Sequence, residues 1–235
     1  MHTQPIDGRQ SVEYELFMII LDFDGVLFND ERFKRDYWRL FRRAGIPHRI
    51  HQDAYIASKE LHRGGYRHDL HLTLVKRHMP AVQIPALEQN IWKLLGHSAE
   101  YLYHDTKPFL RYWQSKGEAL ALVSSGNAFQ EKKVHSSGIT SLFLAAIVAD
   151  TSDKVYPVRA LVKRAGRNRI VFIDDRRNFV DAVKQNFPRI LVLQMIRRRD
   201  RERSVAADAI VPNLAAARRF IESRAVRQAP NEPAC

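Results

Sequence analysis

The chain has 235 residues, 45% of them hydrophobic, and it carries a formal net charge of +12. This length suits one large domain, or a core into which a smaller domain is inserted. The only cysteine, Cys235, excludes an intrachain disulfide, and no apolar run approaches the roughly 20 residues that a membrane helix needs. We expect a cytoplasmic protein without a membrane partner. Its positive charge favours anionic partners such as phosphorylated metabolites or nucleic acid.

The first predicted element is a strand that ends in two acids. Residues 16–21 are apolar without alternation, which is typical of a strand buried on both faces of a parallel sheet. Asp22 and Asp24 follow this run, and Gly25 allows a sharp turn. Open α/β sheets bind ligands at this end of their strands, so the acids suit a nucleophile, a proton carrier or the ligands of a hard cation. Solvated acids that merely start a turn are the alternative.

A long section without a convincing strand follows these acids. Helical spacing of apolar residues predicts a first helix that ends near Gly45, and further helices follow up to Tyr103. We expect residues 28–106 to form an inserted helical cap domain that lies over the strand ends. The later predicted helices in this block cover 54–61, 70–78 and 85–103.

Strands and helices alternate from about residue 108 onwards. This alternation predicts an α/β core in which a Rossmann-like parallel sheet has helices on both faces. The core would comprise 14–27 and 107–224, and the ends, 1–13 and 225–235, would be flexible. The predicted strands of this half are 119–123, 145–149, 169–173 and 190–193, with a weaker candidate at 209–211.

Three of the predicted strands end in polar residues at one edge of the sheet. The first ends in the two acids already described, the second in Ser124, and the fourth in Asp174 and Asp175. Four acids at one edge would repel one another without a cation, and Mg²⁺ is the natural candidate. A phosphate could share such a site, since the metal cancels its charge, while Ser124 and Lys154 could hold its oxygens. Taken singly, Ser124 could be a turn residue and the acid pair a helix cap.

Four segments together resemble the motifs of the haloacid dehalogenase (HAD) superfamily of phosphohydrolases. The resemblance covers nearly all of 16–222, and the helical insertion resembles the cap of the subclass with phosphoglycolate phosphatases and β-phosphoglucomutases. The third segment departs from its motif, because no proline follows the lysine directly. The four segments are DFDGV at 22–26, LVSSG at 122–126, KVYP at 154–157 and IDD at 173–175.

The resemblance implies catalytic roles for the first two acids. Asp22 would attack phosphorus and become an aspartyl phosphate, and Asp24 would protonate the leaving oxygen and then activate water. Asp22 and the backbone carbonyl of Asp24 would also be ligands of Mg²⁺. Dehalogenases of the superfamily lack an acid at the position of Asp24, so its presence favours phosphate chemistry.

The resemblance also implies the groups that hold phosphate and metal. Ser124 and Lys154 would bind the phosphoryl oxygens, with Ser125 and Gly126 in the same phosphate-binding segment. The remaining metal ligand would come from the pair of acids after the fourth strand. We assign Asp175 as the direct ligand and Asp174 as its neighbour, although spacing leaves the order open.

The leading hypothesis is a Mg²⁺-dependent phosphohydrolase that acts on a small phosphorylated metabolite. A phosphomutase of the same fold is the first alternative, and the sequence does not separate the two. The second alternative is a basic nucleic-acid-binding protein that would use the run 197–203, although a solvated loop is the commoner interpretation of such a run. His68 and His71 could share a helix face and bind a metal, but ordinary packed histidines are the simpler explanation. Neither the substrate nor the oligomeric state follows from the sequence.

Overall fold

The computed structural model describes most of the chain. The first predicted residue of strand one, the predicted flexible arm 1–13 and the last nine residues lie outside the described residues. The final helix continues through residue 226, and the flexible tail over 225–235 stays a prediction. The described ranges are 17–61, 65–150, 153–166, 169–198 and 200–226.

A six-stranded sheet forms the centre of the molecule, and all of its neighbouring strands are parallel. The spatial order of the strands is β3-β2-β1-β4-β5-β6, which is the order of a doubly wound fold. The predicted Rossmann-like sheet is therefore confirmed. Its strands are β1 (Phe17–Leu21), β2 (Ala119–Ser125), β3 (Ala145–Ala149), β4 (Arg169–Asp174), β5 (Leu191–Met195) and β6 (Ala209–Val211).

Nine α-helices lie among the described residues, four of them between the first strand and residue 97. The first four are α1 (Asp30–Arg43), α2 (His48–Glu60), α3 (His68–His78) and α4 (Ile84–Gly96). The others are α5 (Thr106–Ser115), α6 (Ala128–Ser136), α7 (Val155–Ala165), α8 (Arg177–Asn186) and α9 (Leu214–Val226). None of these helices, within the described ranges, is long and apolar enough to cross a membrane.

The predicted single helix over 85–103 is wrong, because α4 ends at Gly96. A short 3₁₀ helix, Ser98–Tyr101, follows it. The side chain of Ser98 donates a hydrogen bond to the backbone carbonyl of Leu95 at 2.7 Å. Glycine has a low helix propensity, and a serine that bonds to the backbone competes with the hydrogen bonds of the helix. The α-helix therefore ends here and a 3₁₀ helix follows.

Both faces of β1 are covered, which explains its unbroken apolar run. Phe17, Ile19 and Leu21 point into a core cluster that also contains apolar residues of α5, α6 and α9. Met18 and Ile20 point to the opposite face, where residues of α7 and α8 cover them. Successive side chains of a strand point to opposite faces, so a strand between two helical layers needs apolar residues at every position.

The order of the strands brings distant acids together. From β1 the chain builds β2 and β3 on one side, then crosses to form β4 on the other side. The sheet therefore has its switch point between β1 and β4, where such folds form a ligand crevice. The backbone N–H of Asp22 donates to the carbonyl of Ile173 at 2.9 Å, so the residues that follow these two strands are direct neighbours.

Helices α1 to α4 form an insertion whose two connecting segments are paired. Phe28 and Leu102 form an antiparallel bridge. The N–H of Asn29 donates to the carbonyl of Tyr101 at 2.7 Å, and the N–H of Tyr103 donates to the carbonyl of Leu27 at 3.0 Å. The described part of this insertion is helical, as predicted, and we call it the cap. The domain boundaries at 28 and 106 stay a prediction.

Histidine rings are part of the packed interior of the cap. The ring of His71 is fully buried and stacks on Phe41, with centroids 4.8 Å apart, and the ring of His51 lies 4.9 Å from it. Burial lowers the pKa of His71 to about 3 and that of His51 to about 4. The metal interpretation of His68 and His71 receives no support, since no metal-binding group among the described residues includes either one.

The buried histidines predict a loss of stability in mild acid. His71 is neutral in the folded cap, whereas its pKa in the unfolded chain is near 6.5, so the unfolded state gains a proton below that pH. The free energy of unfolding should therefore fall between pH 6.5 and about 4, by about 2 kcal/mol for His71 at pH 5. Urea unfolding at pH 7.5 and pH 5 should show a smaller acid loss for His71→Phe than for the wild type. The matched change at the exposed His78 of the same helix, His78→Phe, should keep the full loss; equal acid losses in all three proteins would contradict this account.

Candidate active site

A buried lysine joins two acids at the switch point of the sheet. Lys154 precedes α7, and its Nζ lies 2.6 Å from Oδ1 of Asp22 and 2.7 Å from Oδ2 of Asp174. All three side chains are almost fully buried. The structure thus places the predicted nucleophile, the predicted phosphate-binding lysine and one acid of the fourth motif in one contact cluster.

Asp175 lies beside this cluster, and one of its two carboxylate oxygens forms an ion pair. Its Oδ2 is 2.8 Å from Nη2 of Arg201, whereas its buried Oδ1 has no hydrogen-bond partner among the described residues. By contrast, Asp174 uses both oxygens, because Oδ1 accepts from the backbone N–H of Arg176 at 2.9 Å and Oδ2 accepts from Lys154. Asp175 is therefore the acid of the pair with coordination capacity to spare.

Three carboxylates, those of Asp22, Asp174 and Asp175, can each offer an oxygen within 4.8 Å of the others. Only two basic groups, Lys154 and Arg201, form ion pairs with them among the described residues. Burial, opposed by Lys154 and reinforced by the neighbouring acids, raises the pKa of Asp22 to about 8. Burial likewise raises the pKa of Asp175 to about 7. Surplus negative charge and an unpartnered carboxylate oxygen fit a hard divalent cation bound through oxygen.

Gly25 allows the turn after β1 to pass close to this cluster. Its φ is +76°, and a Cβ at this position would lie 2.4 Å from Oδ2 of Asp175. The turn therefore needs glycine for two reasons. Its backbone is left-handed, and the side chain of Asp175 leaves no room for a Cβ.

Asp24 has a different environment from Asp22, two residues before it. Both of its oxygens contact Nζ of Lys133, at 2.7 and 2.8 Å, and Oδ2 also accepts from Gln130 at 3.0 Å. Burial favours a raised pKa for Asp24, but the charge and hydrogen bond of Lys133 outweigh it and lower the pKa. The side chain is 23% exposed, so this carboxylate faces the open cavity in its charged form.

The predicted phosphate-binding segment, which starts with the last two residues of β2, lies next to Asp24. Ser124 is buried and its Oγ accepts from Nε2 of Gln130 at 2.9 Å. Oγ of Ser125 is buried and has no partner among the described residues. A Cβ at Gly126 would lie 2.4 Å from Cβ of Gln130, so the glycine lets the loop and α6 approach each other. Ser125 thus has a free donor for an oxygen of a ligand.

Gln130 and Lys133 are site residues that the sequence reasoning missed. With Asn127 they form a row of polar residues spaced three apart, and such residues share one helix face. The helix that bears them, α6, starts directly after the second motif. A row of polar residues immediately after a strand end is the sequence pattern from which Gln130 and Lys133 could have been predicted.

The prediction that 197–203 is a solvated loop is wrong for Arg197, whereas Arg201 is partly exposed. The side chain of Arg197 is 10% exposed, and its Nη2 donates to the carbonyl of Val26 at 2.9 Å and to Oδ1 of Asp105 at 2.8 Å. Arg201 reaches Asp175 as described above. The physical reason is that the loop after β5 returns across the carboxyl edge, where acids attract it. Residue 199 lies outside the described residues.

A cavity of about 430 Å³ lies between the core and the cap, and its lining includes Asp24 but not Asp22 or Lys154. A hydrogen bond of 2.8 Å joins the two sides, because Nδ2 of Asn127 donates to the carbonyl of Tyr66. The core contributes Asp24, Ser125, Gly126, Gln130, Lys133 and Arg176, and the cap contributes Phe33, Lys34, Tyr37, Tyr55, Lys59 and Tyr66. A volume in this range suits a small molecule.

The fold and the site together define an α/β enzyme with a buried acid cluster beneath a helical insertion. Residues 18–185 match the family model of the haloacid dehalogenase-like hydrolases. The chain therefore belongs to the haloacid dehalogenase-like hydrolase family and is an enzyme. The comparison with curated proteins gave no match.

Solved structures share the fold at low sequence identity. A protein from Burkholderia xenovorans, described as a haloacid dehalogenase-like hydrolase, is 14% identical with a TM-score of 0.71, covering 90% of this chain and 99% of its own. The magnesium-bound HAD hydrolase YfnB from Bacillus subtilis is 15% identical, with a TM-score of 0.65 and coverages of 88% and 99%. A HAD phosphatase from Thermococcus onnurineus is 20% identical, with a TM-score of 0.65 and coverages of 88% and 98%. Proteins described as dehalogenases share the fold as well, so this likeness does not assign a substrate.

The turn at Gly25 gives a prediction with a matched control. Gly45 also has a positive φ, +75°, but a Cβ there would meet no atom within 4 Å. Gly45→Ala should lower the free energy of unfolding by about 1–2 kcal/mol, from backbone strain alone. Gly25→Ala should cost about 1–3 kcal/mol more, because its Cβ displaces Asp175 in a packed site. Urea unfolding of both variants measures the difference, and equal losses would show that the acid does not press on the turn.

Proposed function

We propose that the protein is a Mg²⁺-dependent phosphomonoesterase that acts on a small phosphorylated metabolite through an aspartyl phosphate on Asp22. One observation carries the proposal, namely that the carboxylates fall into two groups. Asp22 lies in the buried cluster with Lys154, whereas Asp24 faces the cavity and pairs with Lys133. Such a site can offer a nucleophile and a separate proton carrier to one substrate.

The reaction would proceed in two displacements at phosphorus. Asp24 would take up a proton from solvent when the substrate binds. The carboxylate of Asp22 would then attack phosphorus, and the bond between phosphorus and the ester oxygen would break while Asp24 passes its proton to the departing oxygen. Asp24 would then accept a proton from water as that water attacks the aspartyl phosphate. The second step releases inorganic phosphate and restores Asp22. The lowered pKa of Asp24 keeps its carboxylate ionised, so that it can accept a proton in this second step.

The residues at the end of β2 and the buried Lys154 would hold the oxygens of the transferring phosphoryl group. The unpartnered Oγ of Ser125 supports this role, and Ser124, Gly126 and Lys154 complete the group. Fixed donors of this kind stabilise charge that develops on the phosphoryl oxygens.

The metal would be held by Asp22, Asp175 and the backbone carbonyl of Asp24. The unpartnered Oδ1 of Asp175 and the full use of Asp174 support Asp175 as the direct ligand. Mg²⁺, when bound, would offset the charge of the carboxylates and of the phosphoryl oxygens.

The carboxylate of Asp24 favours phosphate chemistry over dehalogenation. A departing alkoxide needs a proton, whereas a halide ion is stable in water without one. The position and exposure of Asp24 in the cavity therefore serve ester cleavage and have no evident use in the cleavage of a carbon–halogen bond.

The alternatives differ in their support. The nucleic-acid hypothesis finds no support, since Arg197 and Arg201 of the basic run form internal pairs with Asp105 and Asp175. Transfer of the phosphoryl group to a sugar hydroxyl, as in a phosphomutase, stays a prediction, as does the cytoplasmic location.

Phosphate release from a panel of phosphorylated metabolites tests the proposal. The wild type should release phosphate only with Mg²⁺, and chelation should abolish the activity. Asp22→Asn should lose at least about a thousandfold in kcat, because the amide cannot form the aspartyl phosphate. The same substitution at an exposed acid of the cap, Asp53→Asn, should leave kcat unchanged. Release that survives Asp22→Asn would overturn the assignment of the nucleophile.

A further inference from the structure

Arg201 occupies one side of the carboxylate that we assign as the direct metal ligand. Its Nη2 lies 2.8 Å from Oδ2 of Asp175, and a Cβ at Gly25 would lie 2.4 Å from the same oxygen. Oδ1, by contrast, is buried and has no hydrogen-bond partner among the described residues. The two oxygens of this carboxylate therefore have different surroundings, and Oδ1 is the one that is left for a cation.

A buried glutamine fixes the segment that carries Arg201. Gln194 of β5 is fully buried. Its Nε2 donates to the carbonyl of Asp175 at 3.2 Å and to the carbonyl of Glu202 at 2.7 Å, and its Oε1 accepts from the N–H of Ser204 at 2.7 Å. One side chain thus ties the backbone of Asp175 to the residues that follow Arg201.

Ser204 anchors the same segment at a second point. Its side chain donates a hydrogen bond to Oδ1 of Asp181 in α8, and its Oγ also accepts from two backbone N–H groups, at 3.1 and 2.9 Å. Ion pairs at a surface contribute little when both side chains are free to move. Here the buried side chains of Gln194 and Ser204 hold the neighbouring backbone, so Arg201 approaches the carboxylate from a fixed backbone position.

The number of oxygens that a carboxylate offers separates Mg²⁺ from Ca²⁺. Mg²⁺ demands near-octahedral geometry at about 2.0–2.1 Å, whereas Ca²⁺ takes about six to eight oxygens at about 2.3–2.6 Å and readily accepts both oxygens of one carboxylate. A cation bound through Oδ2 of Asp175 would share that oxygen with the guanidinium of Arg201, and the two positive charges would lie within about 5 Å of each other. Arg201 thus penalises two-oxygen binding more than one-oxygen binding through Oδ1.

We infer that Arg201 sets the metal selectivity of the site by making Asp175 a one-oxygen ligand, which favours Mg²⁺ over Ca²⁺. Arg201 is a positioning residue in this account, because it acts on the metal through Asp175. The inference rests on the proposed function, since it takes from it the assignment of Asp175 as the direct ligand. It assigns to the arginine a choice between two ions of equal charge, which the charge of the site alone cannot make.

The inference is tested by binding of the metal alone, which needs no turnover. CaCl₂ and MgCl₂ are titrated calorimetrically, at one pH, into chelator-treated full-length protein, and the ratio of the two dissociation constants is the readout. Both ions carry two positive charges, so the loss of a nearby positive charge shifts both affinities alike and cancels in the ratio. A change in how the carboxylate coordinates the ion, by contrast, alters the ratio.

Arg201→Gln should raise the affinity for Ca²⁺ relative to that for Mg²⁺ about fivefold, the equivalent of one partly exposed ion pair, because Asp175 can then offer both oxygens. Arg201→Met, which leaves no donor for Oδ2, should show the same shift. Arg203→Gln removes a positive charge from an exposed position two residues further on and should keep the wild-type ratio. An unchanged ratio in both Arg201 variants would overturn the inference, and so would an equal loss of affinity for both ions, which would show a purely structural role.

Mg²⁺-dependent phosphate release separates this inference from the proposed function. If the wild type releases phosphate through Asp22 but the Arg201 variants keep the wild-type ratio, the phosphatase assignment stands and the role of Arg201 is wrong. If the wild type binds neither ion and releases no phosphate, the proposed function is wrong, and the role of Arg201 falls with it.

Discussion

The contact of Lys154 with Asp22 and Asp174 is the interaction on which the site depends. Buried charges are costly unless they are paired and hydrogen-bonded, and here one ammonium group serves two carboxylates at 2.6 and 2.7 Å. Asp175 adds a third carboxylate to the cluster, and Arg201 is its salt-bridge partner among the described residues. Such an arrangement adds little to the stability of a core, whereas the proposed cation and phosphate would make use of it.

Topology makes this contact possible. Lys154 and Asp174 lie far from Asp22 in the sequence, but the reversal of strand order places β4 directly beside β1. At the same edge of the sheet, Asp22 and Asp24 have different surroundings. The carboxylate of Asp22 contacts Lys154 in the buried cluster, whereas that of Asp24 contacts Lys133 of α6. Their surroundings shift their pKa values in opposite directions. Two acids separated by one residue thereby acquire different protonation behaviour, and a bound cation would lower the raised pKa of Asp22 toward the ionised form that a nucleophile needs.

The sequence was sufficient to predict those features that depend on local pattern. Unbroken apolar runs predicted the strands, since each central strand is covered on both faces, and acids at the strand ends indicated where the site would lie. Lys133 and Arg201 could not be assigned in this way, because their partners, Asp24 and Asp175, lie 109 and 26 positions away and no spacing rule connects them. The predicted end of the helix over 85–103 was wrong for a local reason. Gly96 has a low helix propensity, and the side chain of Ser98 bonds to the backbone. The domain boundaries and the roles of the site residues remain predictions for experiment.

The start of α6 connects the cap to the proposed chemistry. Asn127, the N-cap residue of α6, donates to the carbonyl of Tyr66 in the cap at 2.8 Å, and the same helix carries Lys133, the partner of Asp24. One element of the core therefore contacts both the cap and the proposed proton carrier. A ligand that contacts both sides of the cavity would favour their association through its differential contacts, as any shift of a conformational equilibrium requires. Recognition of the leaving group and exclusion of water from the aspartyl phosphate would then be coupled.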